Sequence, residues 1–152
     1  MPSTETSQDQ SALTRLVTEY AYAIDERAFD RLDSVFTPDA YIDYRAMGGI
    51  DGPYPKVKAW LPIALKDFPG FMHFIGNLLF DVNGDEASGK VACLNPMRVP
   101  KIGGGDEVMI LGLWYHDRYR RTPAGWRITQ RVEVRCFDHN MPDWMKKALK
   151  LS

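Results

Sequence analysis

At 152 residues, with 45% apolar and 26% charged side chains, the chain has the length for one packed core and the composition of an ordinary globular protein. A formal net charge of −1 argues against a nucleic-acid partner, which needs a basic footprint, and no apolar run is long enough to span a membrane. Residues 1–10 are polar and acidic, without the charged start and apolar core of an export signal; they read as a flexible tail ahead of a single domain over residues 11–152. Cys93 and Cys136 lie in apolar, strand-like runs and read as buried thiols, which fits a cytoplasmic protein.

The first helix is expected over Ser11–Asp25, where Leu13, Leu16, Val17, Tyr20 and Ile24 repeat at helical spacing and Ser11 can cap the start. A short second helix over Phe29–Phe36 is closed by the turn signal Thr37-Pro38-Asp39. Ala40–Arg45 reads as a strand with Tyr41 and Tyr44 on opposite faces, and Met47–Pro55, rich in Gly and Pro, as a loop. A third helix is expected over Pro55–Phe68, with an apolar face that includes Trp60 and a kink or break at Pro62. From Gly70 the texture changes to strands: Phe71–Val82, the hairpin signal Asn83-Gly84, Ala87–Val99 with Pro96 demoting its end, Glu107–Arg120, a turn at Thr122–Gly125, and Trp126–Phe137. Met141–Leu151 closes the chain as a short basic helix, placed to cover a pocket of this chain or a neighbouring one. Helices followed by meandering antiparallel strands define an α+β class, with helices on one face of a bent sheet and a pocket between them.

Asp25 falls near the C-terminus of the first helix, where the macrodipole disfavours a negative charge, so it needs a partner. The expected partner is His73, at the start of an apolar strand; an Asp that fixes a His tautomer makes it a competent general base. Two plainer readings compete: a core histidine satisfied by a backbone carbonyl, and an Asp25 that caps the following helix. Strand alternation puts Phe71, His73, Ile75 and Asn77 on one face. Tyr20 projects from the buried face of the first helix, and Asn95 lies among apolar neighbours where a carboxamide must be hydrogen-bonded. Arg127, Thr129, Arg131, Glu133 and Arg135 alternate along the last strand. A solvated, ion-paired face is the reading for Arg127 and Glu133, and Arg131 is open. Gly103-Gly104-Gly105-Asp106 is no phosphate loop, His73, His116 and His139 lack metal-ligand spacing, and no Ser sits in a nucleophile elbow.

Tyr20-x4-Asp25, followed 48 residues on by His73 within Phe-Met-His-Phe, resembles the SnoaL-like branch of the cone-shaped α+β barrel superfamily, a fold shared with nuclear transport factor two and ketosteroid isomerase. The spacing is similar to that of scytalone dehydratase, bile acid 7α-dehydratase and hexachlorocyclohexane dehydrochlorinase. The resemblance implies a strongly curved mixed or antiparallel sheet wrapped around three N-terminal helices, with an internal pocket. It implies His73 as general base, Asp25 as its orienter and Tyr20 as hydrogen-bond donor. Arg131, Asn95 and, more distantly, Tyr44 would fix the substrate, and Trp60, Phe71, Leu113 and Trp114 would be walls. The chemistry implied is a cofactor-independent, dehydratase-type elimination on a hydrophobic cyclic molecule such as a steroid or aromatic polyketide, with no metal. A cofactor-free isomerase or cyclase, and a non-catalytic binding or protein-interaction module, are the alternatives. The strand Glu107–Arg120 is apolar on both faces, which suggests a subunit interface; the resemblance implies a homotrimer, or a dimer.

Overall fold

A computed structural model describes residues 4–151. Helix α1 spans Thr4–Asp25 and buries Leu13, Val17, Tyr20 and Ile24 along one stripe. It begins before Ser11, so the expected tail over residues 1–10 is corrected from Thr4 onward. The reason is Asp9, four residues before Leu13 and buried with it. Its carboxylate accepts both Arg121 guanidinium nitrogens at 2.8 and 2.9 Å and the Trp126 indole N–H at 2.9 Å. A buried charge reads as surface in a hydrophobicity pattern, so the first turns were invisible there.

These bonds to Arg121 and Trp126 hold the Asp9 carboxyl below its ordinary range. The unfolded chain therefore binds a proton at a higher pH than the folded one. The stabilisation is present above pH 3.8 and disappears as pH falls through the depressed folded value. Asp9→Ala leaves the Trp126 N–H without its partner and is expected to cost about 1–3 kcal/mol in urea unfolding at neutral pH, with a smaller difference in acid.

A 3-10 turn, Phe29–Ser34, leads into strand β1 (Phe36–Asp43). Thr37-Pro38-Asp39, expected as a turn, lies inside this strand. The ladder to the last strand jumps between Phe36 and Tyr41, and the neighbour on the other side, β2 (Asp51–Pro53), pairs only from Tyr41 onward. Pro38 thus falls where no donor is required. Helix α2 (Tyr54–Leu65) starts on Pro53 and Pro55 and carries Pro62 without ending there. Pro62 is exposed, so water can meet the carbonyl that it frees.

The remaining strands are β3 (Gly70–Phe71), β4 (Phe74–Asn83), β5 (Glu86–Pro100), β6 (Asp106–Thr122) and β7 (Gly125–His139), before helix α3 (Asp143–Ala148). The sheet order is β2-β1-β7-β6-β5-β3, with β4 also on β5; only β1 and β7 run parallel. The result is the expected α+β architecture, a strongly curled mixed sheet that forms a half-barrel, with helices at the N-terminus. No helix among the described residues is long and apolar enough to cross a membrane.

Three one-residue bulges decide which side chains face inward. Asn77, at φ +48°, is an extra residue against β5; it is exposed, and Leu78 and Phe80 take over the inner face. The expected shared face of His73 and Asn77 is thereby corrected. Thr129 is an extra residue against β6. Trp126 and Ile128 point inward before it, Arg131 and Glu133 after it, so the five-residue charged face read from the sequence does not exist as one surface. Cys136 is the third extra residue and is exposed, unlike the buried Cys93.

Candidate active site

His73 lies in a gap of the sheet edge. Phe71 pairs with Met97 and Phe74 with Leu94 in one register, which sets Met72 across from Pro96 and His73 across from Asn95. Pro96 has no N–H to give, so only its carbonyl bonds Met72, at 3.1 Å, and the ladder lapses there. The His73 backbone N–H turns away from β5 and is taken by the Asp25 carboxylate, at 2.9 and 3.1 Å to its two oxygens. The same carboxylate lies 2.6 Å from Nδ1 of the imidazole. Asp25 thus holds both the backbone and the ring of His73, from the last residue of α1.

With Nδ1–H donating to Asp25, Nε2 carries the lone pair, and the Asn95 amide donates to it at 3.3 Å. Both His73 and Asn95 line a cavity of about 470 Å³ between the inner face of the sheet, α1 and α2, with α3 also on its wall. This volume suits one drug-sized ligand. Five of the seven methionines line it, namely Met47, Met97, Met109, Met141 and Met145, and such side chains adapt to irregular shapes. Leu149, the residue after α3, packs against Gly48. At φ +88° that position favours glycine, and a Cβ there would stand 2.5 Å from the Leu149 side chain.

Tyr20 and Tyr44 also line the cavity, with their hydroxyls 2.6 Å apart. Burial raises the pKa of both. They therefore remain neutral donors. The Tyr20 ring meets the His73 ring edge-on at 6.2 Å and the Tyr115 ring at 5.7 Å. Trp60 stands on the α2 side of the wall. The structure thus brings together His73, Asn95, Tyr20, Tyr44 and Trp60, with Asp25 behind the imidazole.

Four expected pocket residues are placed elsewhere. Arg131 is fully buried beneath the wall: its guanidinium bonds Asp117 at 2.9 and 2.6 Å and lies 4.1 and 4.0 Å from the Tyr20 and Tyr115 rings. Leu113 is in the core but off the wall, and Trp114 is on the outer face of the sheet under Lys90, at 4.9 Å. Phe71 backs the His73 ring at 6.3 Å and carries Arg27 at 4.7 Å, rather than facing the cavity. None of these four roles came from strand alternation, which puts the adjacent residues Leu113 and Trp114 on opposite faces of β6 and so allows at most one of them on the wall.

Two residues that the sequence reading left out are on the wall. Tyr115, to which the sequence pattern gives no site role, is one of them. Glu133 was read as solvated, yet its Oε2 is out of contact with solvent and takes no hydrogen bond from the described residues. The signal available was its spacing two residues from Arg131, once Arg131 is taken as inward. Asn95 Oδ1 is a second buried polar atom without a described partner. A cavity that leaves two such atoms unmet is ready for a ligand that hydrogen-bonds to them.

Residues 5–132 match the family model of the SnoaL-like domain. Uncharacterized protein Rv2910c of Mycobacterium tuberculosis is 53% identical over 133 residues, covering 88% of this chain and 89% of that protein, and Mb2934c of Mycobacterium bovis matches to the same extent. Among solved structures, Kfla4162 of Kribbella flavida has a TM-score of 0.80 at 21% identity, covering 89% of this chain and 95% of that one. A scytalone dehydratase-like protein of Novosphingobium aromaticivorans has 0.79 at 20%, covering 90% of each. A type 2 hexachlorocyclohexane dehydrochlorinase, LinA, has 0.77 at 17%, covering 91% and 92%. At such identities these structures share the fold, and the chemistry rests on the residues of this chain.

Proposed function

The chain belongs to the SnoaL-like domain family, and from that premise we propose that it is a lyase, carrying out a cofactor-independent, dehydratase-type elimination on a hydrophobic, cyclic, uncharged small molecule. The observation that carries this reading is the 2.6 Å contact between Asp25 and Nδ1 of His73, which leaves Nε2 as the basic nitrogen at the cavity. His73 abstracts a proton from a carbon acidified by a neighbouring carbonyl. Asp25 keeps the ring in the required tautomer and stabilises the imidazolium that forms. The Tyr20–Tyr44 hydroxyl pair donates to the carbonyl oxygen as negative charge grows on it, and Asn95 Oδ1 accepts from a substrate hydroxyl. The mainly apolar wall selects a ring system and excludes water. Dehydratase and dehydrochlorinase names among the structural neighbours support the same reaction class.

The test is a thermal-shift screen of steroids, aromatic polyketides and cyclic ketols, followed by product mass. A ligand at a hundredfold excess over its Kd stabilises by about 2.7 kcal/mol. Loss of one water from the hit supports the lyase; an unchanged mass with a moved double bond replaces it with an isomerase; no hit in any class favours a binding module of other specificity.

The same reading places the protein in the cytoplasm, where Cys93 and the exposed Cys136 stay as free thiols. It also includes self-association, with a trimer preferred over a dimer. On the outer face of the sheet, Phe74, Leu94, Gly112 and Phe137 are successive cross-strand partners, and Phe74, Leu94 and Phe137 are exposed. Light scattering is expected to give a multiple of 17.3 kDa that falls to the monomer in Leu94→Lys; a monomeric wild type overturns this part.

A further inference from the structure

Glu133 projects from β7 into the cavity, two residues beyond Arg131 on the same face. The charged and titratable groups around it come from every neighbouring element. Tyr20 belongs to α1, Asp43 and Tyr44 to β1 and its end, Cys93 to β5, Tyr115 to β6 and Arg131 to β7 itself. Arg131 is the cation of the set, and its guanidinium is engaged by Asp117. The Met47 backbone N–H gives Glu133 a hydrogen bond, while Oε2 is shut off from solvent and takes no hydrogen bond from a described residue. An ionised carboxylate in that position would face a second carboxylate, Asp43, and a mostly apolar cavity.

We propose that Glu133 is the acid of the site, a neutral carboxylic acid that gives its proton to the leaving oxygen while His73 takes a proton from carbon. This rests on the elimination reading and deepens it, because a site with a built-in acid is suited to a substrate whose leaving group is a hydroxyl. Nε2 of His73 forms a bond to the substrate proton, and the C–H electron pair becomes the new C=C bond. The C–O bond breaks with its electrons on oxygen, and that oxygen takes the Glu133 proton and departs as water. The site is left with an imidazolium beside Asp25 and a carboxylate near Arg131; one proton passed back through entering water restores both. Burial supports the assignment, since it pushes the Glu133 carboxyl well above its ordinary range, against the smaller effects of Met47 and Arg131.

The decisive variant is Glu133→Gln, which keeps the shape and loses the acid. In infrared difference spectra of wild type minus variant at pH 7, a protonated-carboxyl carbonyl band is expected in the wild type. Its absence overturns the proposal and leaves the elimination reading untouched. The kinetic arm compares 4-hydroxy-2-decalone with its acetate ester, two β-substituted ketones that yield the same enone. Glu133→Gln is expected to slow the hydroxy compound by about 100-fold or more, the lower end of general acid catalysis, and to leave the acetate, which departs without a proton, nearly as fast. Equal slowing of both makes Glu133 structural and overturns the proposal alone. A wild type that converts neither probe overturns it together with elimination of β-substituted cyclic ketones.

Discussion

In His73→Ala, kcat for water loss is expected to fall by about 10²–10⁴, the span over which a positioned acid–base group acts, while ligand binding measured by thermal shift changes little. Nε2 is the imidazole nitrogen that a substrate can reach, held only by the long 3.3 Å bond from Asn95, because Nδ1 is committed to Asp25. Asp25→Asn is the more informative companion. Both Asp25 oxygens accept, one from the ring and the backbone N–H, the other from the backbone N–H. An amide supplies one oxygen and one NH₂, so one of those donors must face another donor. If the NH₂ faces Nδ1, the ring is driven into the other tautomer and Nε2 acquires the proton that blocks it. If it takes the place of the other oxygen, the backbone N–H keeps only its longer bond, 3.1 Å, and faces the NH₂ as well, which weakens the sheet edge at His73 by about 1 kcal/mol or more. Expected, therefore, is a rate loss approaching that of His73→Ala together with a lower melting temperature. Single-turnover kinetics and melting on the same samples separate the two effects. An Asp25→Asn enzyme with wild-type turnover would show that the tautomer does not limit the reaction.

This double duty of Asp25 explains what could be read before the fold was in hand. The residue stands at the end of a helix whose apolar stripe is strongly periodic, and His73 stands at the start of an apolar run; both signals are local. So are the Asn83-Gly84 hairpin and the turn before Trp126, and with them the order of the four long strands. The rest of the site was hidden by features that leave no periodic trace. A bulge shifts the inward side of a strand by one residue, so alternation beyond Thr129 or Asn77 gives the wrong face. A charge that is buried because its partner is distant in sequence looks solvated, as with Asp9 and Arg121 or Asp117 and Arg131. Glu133 was hidden by the bulge before it and by the run of charged residues in which it sits.

Arg131 and Asp117 give the largest stability effect expected in the molecule. They face each other across β6 and β7, with both side chains wholly buried and two hydrogen bonds between them. Tyr119 donates to the same carboxylate at 2.7 Å. Burial by itself would pull the guanidinium pKa down, but the charge and hydrogen bonds of Asp117 overcome it and keep Arg131 charged. Arg131→Met leaves Asp117 buried without its cation, a loss of about 3–5 kcal/mol. For a chain of this size that is a melting shift of about 6–20 °C. Arg131→Lys recovers little, since an ammonium makes neither the paired bonds nor the flat stack between Tyr20 and Tyr115. The double variant Arg131→Met, Asp117→Leu removes both charges and is expected to regain most of the lost stability. It does not regain function: without the guanidinium under its ring, Tyr20 loses the contact that sets its hydroxyl against Tyr44 and toward the cavity. A stable double variant with impaired turnover would place Arg131 as a positioning residue, acting through Tyr20 rather than on substrate. Single variants that melt within a degree of wild type would mean that the pair is not what holds this wall in place.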